Sequence, residues 1–254
     1  MGDELTAVVQ AARRRTAPGD RWVRHLASPL SRRDYVRMSD DTAAATSGPR
    51  LLDWGCGYGQ MSYLLARRGF EVTSYDVGPT LEGGRLAAEL GLRAVRGDHP
   101  FRLPFRSGAF DGVLACGVLE HVADPDQSLD ELHRVLAPNG RLFVYNLPQR
   151  FSYKEVAIER LHAGYAHDRR YTEASITDLL GQHRFSVVGV GRAGLLPHLA
   201  TGFPAALRRA YHRAAPALFP LDRALCRTPL LNLVAESLEV VAEPVSAGPS
   251  AGTG

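Results

Sequence analysis

The chain reads as a doubly wound α/β domain on a mostly parallel sheet, and two observations predict this. Short apolar runs alternate with stretches of helical periodicity from Arg50 to Ala242, which is how successive strand–helix–strand units read in sequence. The first run, Leu51-Leu52-Asp53-Trp54, breaks into Gly55-Cys56-Gly57-Tyr58-Gly59, and the second ends in Asp76, 17 residues after Gly59. A strand that stops at glycines lets its loop approach a bound molecule closely. An acid closing the next strand can accept hydrogen bonds from both hydroxyls of a ribose. Adenosine is the ligand that this pattern fits.

Arg50 to Trp54 is the first strand. The helix after it, Gln60 to Arg68, sets Met61, Leu64 and Leu65 on one face, carries Arg67 and Arg68 in its last turn and stops at Gly69, as the helix dipole and a left-handed cap require. Glu71 to Asp76 is the second strand. Pro79 opens the next helix, with Leu86 and Leu90 inward and Gly91 after it. Leu92 to Arg96 is the third strand, closed by Asp98. A proline-rich connection, Pro100 to Gly108, leads to the fourth strand, Asp111 to Cys116. Asp124 as cap, Pro125 at the first helical position and Gln127 in the capping-box place start a helix bearing Leu129, Leu132 and Leu136, which Pro138-Asn139-Gly140 ends. Arg141 to Leu147 alternates as the fifth strand. Two helices follow, Tyr153 to Tyr165 and one capped by Thr172 that carries Ile176, Leu179 and Leu180. Phe185 to Val190 and Leu233 to Ala242 are strands six and seven.

Three segments flank or interrupt this core. Residues 1–45 form an N-terminal helical collar or lid, rich in arginine, with Trp22 and Tyr35, and with Pro18, Pro29 and Asp40-Asp41 interrupting any long helix. The main domain runs over 46–243, and 244–254, all small residues and proline apart from Val245, reads as a disordered tail. Between strands six and seven lies an insert, 194–232, long enough to demand structure of its own. Leu199, Phe203, Leu207 and Tyr211 recur there every four residues, while Arg208, Arg209, His212 and Arg213 fall mostly elsewhere on the wheel. From Gly194 to Pro229 the insert holds five arginines against Asp222, a formal charge of +4. A basic amphipathic helix of this kind packs on the sheet edge, covers an apolar acceptor, or lies on an anionic membrane.

Composition excludes several classes. The 254 residues hold no apolar run of membrane-spanning length and no secretory leader, so the expectation is a cytoplasmic protein, with peripheral contact at the inner membrane face through 194–229 as the variant reading. Cys56, Cys116 and Cys226 are too far apart for a disulfide framework or a zinc motif, and no magnesium set is legible either. A net charge of +3 is too small and too mixed for a phosphate-binding stripe, which argues against a nucleic-acid partner.

The spacing Gly55-x-Gly57-x-Gly59 departs from the G-x-G-x-x-G of dinucleotide sites, where a helix N-terminus meets the pyrophosphate. Leu52 to Gly59 resembles instead the first motif of the class I S-adenosylmethionine-dependent methyltransferases. The resemblance continues in family order through Asp76, Gly97-Asp98, Phe110-Asp111, Leu119-Glu120-His121-Val122 and Arg134 to Gly140, about 100 residues in all. It implies a Rossmann-like seven-stranded sheet of order 3-2-1-4-5-7-6, the last strand antiparallel, with helices on both faces. It also implies that Gly55, Cys56, Gly57 and Gly59 wrap the methionine portion, and that Asp53 orients the loop or reaches the ammonium through water. Asp76, with Val77, would hold the ribose. Asp98 and His99 would meet the adenine, and Cys116-Gly117 would border the reactive methyl.

His121, and His167 in Ala166-His167-Asp168-Arg169-Arg170-Tyr171, are the candidate general bases; Tyr165 and Tyr171 flank the latter in a possible acceptor-side lid. A loop fastener and a polar surface turn are the respective alternatives. The implied activity is methyl transfer from S-adenosylmethionine to a small-molecule or lipid-linked acceptor, favouring oxygen and leaving S-adenosylhomocysteine. The group it looks most like includes ubiquinone- and menaquinone-biosynthesis and sugar or polyketide methyltransferases. Cys116-Gly117-Val118-Leu119 stands where enzymes that methylate nucleic-acid amines carry asparagine-proline-proline-tyrosine. Two other readings stay open, a cofactor-binding subunit that transfers no methyl and, disfavoured by the glycine spacing, an NAD-dependent oxidoreductase.

Overall fold

The computed structural model describes residues 4–17, 19–78, 85–99, 101–161, 166–200 and 202–245. Its seven strands are β1 (Arg50–Trp54), β2 (Glu71–Asp76), β3 (Arg93–Arg96), β4 (Phe110–Cys116), β5 (Leu136–Pro148), β6 (Phe185–Ala193) and β7 (Ser237–Pro244). They form one sheet in the order β3-β2-β1-β4-β5-β7-β6. The first five pair in parallel, and β7 runs antiparallel to both β5 and β6. Parallel strands need both faces covered, and the alternation of side chains meets that need. Leu52, Val113, Leu142 and Val144 join one apolar cluster with Leu129 and Leu132 of α6 (Pro125–Val135) and Ile176 and Leu180 of α8 (Glu173–Gln182). Their neighbours Leu51, Leu114, Phe143 and Tyr145 join another with Met61, Leu64 and Leu65 of α4 (Gln60–Arg67). β1, β4 and β5 therefore each contribute to two cores in alternate residues.

The N-terminal collar belongs to the second core. It consists of α1 (Thr6–Arg13), α2 (Arg21–Ala27) and α3 (Pro29–Ala45). Leu5, Val8, Val9, Leu26, Tyr35 and Met38 are buried against the face of the sheet that carries α4. Asp40-Asp41 does not interrupt α3, contrary to expectation. Asp41 pairs with Arg37 one turn earlier at 2.7 Å, and Asp40 pairs with Arg68 at the end of α4. Arg37 is the hub of this docking. Its guanidinium binds Asp34 at 2.8 Å and also Glu239 of β7, so α3 is tied to the far half of the sheet through buried charges.

Other boundaries moved for physical reasons. Helix α6 ends at Val135, because Leu136 is already extended and pairs with Phe110; Pro138-Asn139-Gly140 lies in the bulge that follows. Asp124 caps α6 through the Gln127 N–H at 3.0 Å, and the Gln127 amide donates to the same carboxylate. The Pro79 helix start falls outside the described residues; α5 spans Arg85–Leu90. The Tyr153 helix is α7 (Tyr153–Leu161), and Tyr165 lies outside the described residues. Strand β7 begins at Ser237, since Leu231–Val234 forms a single 3-10 turn, and it runs through Pro244, where the tail was expected to start. Residues 246–254 lie outside the described residues.

The insert holds two helices where one was expected. The predicted stripe begins too early: Leu199 and Phe203 precede α9 (Ala205–Arg213), which buries none of its residues. Leu207 is 52% exposed, as are Arg208, Arg209 and Arg213 around it. The second helix, α10 (Ala215–Cys226), does the packing. Its buried Asp222 accepts the backbone N–H groups of Leu195 and Leu196 at 2.9 and 2.6 Å, which fastens the insert beside the end of β6. No helix among the described residues is long and apolar enough to cross a membrane.

Arg37→Met would strand Asp34 as a buried, uncompensated carboxylate and leave Glu239 only its 3.5 Å pair with Arg223, so it is expected to lower unfolding free energy by about 3–5 kcal/mol. Urea denaturation checks this. A loss below about 1 kcal/mol would mean that the network behaves as an ordinary surface ion pair.

Candidate active site

At the carboxyl edge of β1 and β4 the backbone turns on left-handed glycines. Gly55, Gly57 and Gly59 have φ of 72°, 53° and 75°, and Gly117, after β4, has 67°. Only glycine takes such angles without strain. The loop is held from below: the N–H groups of Gly55 and Cys56 both donate to the Tyr75 carbonyl, at 2.8 and 3.1 Å. A methyl at Gly55 would stand 2.5 Å from Val118, and one at Gly59 would stand 2.8 Å from Leu92. At Gly57 it would meet none of the described residues within 4 Å. The middle of the loop therefore borders open space while its two ends are packed.

Asp53 and Asp76 divide the work around this loop. Asp53 is buried and accepts both the Ser62 N–H at 2.9 Å and its hydroxyl at 2.6 Å, which pins the first turns of α4 under the loop. Burial pushes its carboxyl up to about 6 despite those two bonds. These contacts have the geometry of a loop fastener, one of the two roles expected for it. Asp76 accepts the Gly57 N–H at 2.8 Å on one oxygen and the Gly78 N–H at 2.7 Å on the other. A carboxylate offers about four acceptor positions, so two remain for the hydroxyls of a ribose. Val77 beside it is 54% exposed and offers an apolar surface.

The other expected residues have mixed fates. Asp98, two residues beyond β3, is exposed at the same edge. The His99 ring faces its own loop, where Nδ1 accepts the N–H groups of Phe101 and Arg102 at 3.1 and 3.0 Å. Cys116 receives the Asn146 side-chain amide at 3.3 Å, and burial pushes its thiol well above the ordinary range. Cys56 is buried and shifted in the same direction by the same cause. The Gly117 N–H is tied to the Tyr145 carbonyl at 2.9 Å.

His121 and His167 come together, with ring centroids 5.3 Å apart. Burial lowers the His121 pKa, and the charge of His167 adds to that. His167 is held by Glu155, which accepts its backbone N–H and its Nδ1, each at 2.9 Å. Burial would raise the Glu155 carboxyl, but these bonds outweigh it and hold it below its ordinary value. Tyr171 is no part of a lid, being buried in the sheet core and bridged to Gln149. Sequence reasoning missed Ser62, Glu155 and Arg169. The Arg169 guanidinium donates to the Val122 carbonyl at 2.7 Å and so joins the His167 segment to the loop after β4. None of the three stands in a local motif. The chain crossing that brings 166–170 beside 118–122 is the only signal, and it is three-dimensional.

A doubly wound sheet of this strand order, opened at its carboxyl edge by three alternating glycines with an acid closing β2, is the architecture that the resemblance to class I S-adenosylmethionine-dependent methyltransferases implied. The comparisons agree. Residues 52–144 match the family model described as Methyltransferase domain. A ubiquinone biosynthesis O-methyltransferase of Xanthomonas oryzae is 35% identical over 152 residues, 56% of this chain and 61% of that protein. The chain thus spans less than two thirds of the length of the curated relatives that it matches. A methyltransferase structure from Thermotoga maritima, described as a possible histamine N-methyltransferase, superposes with a TM-score of 0.61 at 16% identity, over 94% of this chain and 100% of that one. The 1,6-didemethyltoxoflavin-N1-methyltransferase of Burkholderia thailandensis, solved with S-adenosylhomocysteine, gives 0.55 at 21% identity over 84% and 79%. At these identities the two structures are likenesses of fold.

Alanine at Gly57 carries only the strain of a left-handed residue, about 1–2 kcal/mol. Gly55→Ala carries that strain and drives a methyl into the stiff, β-branched Val118. Thermal unfolding should therefore rank Gly55→Ala clearly below Gly57→Ala. Equal melting temperatures would contradict the geometry of the loop.

Proposed function

We propose that the chain is a methyltransferase that takes its methyl group from S-adenosylmethionine and places it on an oxygen of a small or lipid-linked acceptor. The observation that carries the reading is the space that the described residues leave over Gly57, beside a carboxylate with two acceptor positions to spare. When bound, S-adenosylmethionine supplies a methyl already activated on a sulfonium. The chain's own task is then alignment and exclusion of water. Gly57 and Asp76 would hold the methionine and ribose portions, and Val77, Asp98 and the 97–99 turn would flank the adenine. Gly117 and Cys116 would border the reacting centre. His121 and His167 line the acceptor side, where an acceptor hydroxyl must give up its proton; His121, 39% exposed, is the more accessible of the two. The similarity to proteins named ubiquinone biosynthesis O-methyltransferase supports oxygen as the atom and a quinone-like ring as the acceptor class.

A lipid-linked acceptor would have to be met at a membrane surface, and α9 supports that version. It exposes Leu207 among Arg208, Arg209 and Arg213, and the 3-10 turn after α10 exposes Leu231, Leu233 and Val234. Apolar side chains amid arginines suit an anionic lipid surface. Flotation with anionic vesicles should retain the chain, and deletion of 196–227 should abolish retention; retention that survives the deletion would remove this version.

Incubation with methyl-labelled S-adenosylmethionine and a metabolite extract should release S-adenosylhomocysteine and transfer label to a hydroxyl-bearing product identified by mass spectrometry. Asp76→Ala should weaken cofactor affinity by tenfold or more, about 1.4 kcal/mol, and His121→Ala should reduce turnover while sparing that affinity. Cofactor binding without any release of S-adenosylhomocysteine would favour the reading of a subunit that binds but does not transfer.

A further inference from the structure

Two segments 46 positions apart meet at the loop that follows β4. Glu120, His121 and His167 each present one donor atom there, and the three atoms lie within 4.8 Å of one another. The Glu120 side chain is 3% exposed, and its Oε2 has no hydrogen-bond partner among the described residues. A buried carboxylate oxygen without a partner is costly and calls for an explanation. His121 Nε2 stands 3.8 Å from the other oxygen, Oε1, too far for a hydrogen bond.

The surroundings are built to hold a ligand in place. Glu155, 2% exposed, grips His167 by both its backbone N–H and its Nδ1. A carboxylate on one ring nitrogen is how metal-binding histidines are oriented, with the other nitrogen turned to the ion. Arg169 fastens the His167 segment to the carbonyls of Leu119 and Val122, on either side of Glu120 and His121, so the two halves of the group cannot drift apart.

We propose that Glu120, His121 and His167 hold a divalent transition-metal ion of the zinc class. Two imidazoles and a carboxylate suit zinc and its neighbours, whereas magnesium and calcium require oxygen ligands. Tetrahedral zinc at bond lengths of about 2.0–2.2 Å sets its ligands roughly 3.4 Å apart. The separations must therefore shrink by at most about 1.4 Å, within reach of small side-chain rotations. Three protein ligands leave a fourth position open on the acceptor side. A hydroxyl oxygen that coordinates there would lose its proton to bulk water as the metal–oxygen bond forms, for the same reason that zinc-bound water ionises near neutrality. That role deepens the methyltransferase reading and rests on it; the ion site itself does not.

Tag-free, chelator-stripped protein titrated with zinc by calorimetry should take up one equivalent per chain at micromolar Kd or tighter. Cobalt should give the intense visible absorption of a tetrahedral site. Glu120→Gln, nearly isosteric, and His167→Ala should each abolish both signals. Glu155→Gln, which alters only the support behind His167, should weaken zinc binding by about ten- to a hundredfold. No zinc binding below about 100 μM, or binding that survives Glu120→Gln and His167→Ala, would overturn the proposal. Parallel titration with S-adenosylmethionine separates the two readings and checks the fold of each variant. Zinc uptake without cofactor binding defeats the methyltransferase reading alone, and cofactor binding without zinc uptake defeats the metal site alone.

Discussion

Parallel strands release their chain at one edge of a sheet, and at that edge the backbone has to turn within a few residues without burying unpaired N–H groups. The structure depends on how β1 and β4 do this. Left-handed glycines at Gly55, Gly57, Gly59 and Gly117 turn the backbone, and the freed N–H groups find the Tyr75 carbonyl, the Asp76 carboxylate and the Tyr145 carbonyl. Asp53 then anchors α4 beneath the loop through Ser62. Gly55 and Gly59 are packed against Val118 and Leu92, and the described residues leave space over Gly57 between them.

Most of this half was legible in the sequence, because each part is a local pattern with a local cause. Alternating glycines after an apolar run, an acid at the end of the next strand, and Asp-Pro before Leu129 and Leu132 at helical spacing all report backbone requirements that act within a few residues. The strand order followed from resemblance and not from periodicity. The reading of Asp53 left two roles open, and its buried contact to Ser62 is the geometry of the loop fastener; Ser62 lies nine positions on and has no motif of its own.

The acceptor half was much less legible, and the reason is contact order. Asp40-Asp41 looked like an interruption because the partners that neutralise it, Arg37 and Arg68, count only once α3 and α4 are packed. The stripe from Leu199 to Tyr211 looked like a helix that packs, yet the packing is done by α10, whose buried Asp222 reads as an isolated surface charge in sequence. Glu120, His121 and His167 form no recognisable ligand spacing, since the fold and the Arg169 clamp assemble them. Local rules find the cofactor loop, which every such sheet must build, and miss the acceptor side, which each chain builds from its own insertions.

The account stands or falls on what occupies the crevice over Gly57. Calorimetric titration of the purified chain with S-adenosylmethionine, S-adenosylhomocysteine and NAD tests it most directly. The account predicts one site of micromolar affinity shared by the first two and no heat of binding from NAD. Saturable binding of NAD with none of S-adenosylmethionine would contradict it.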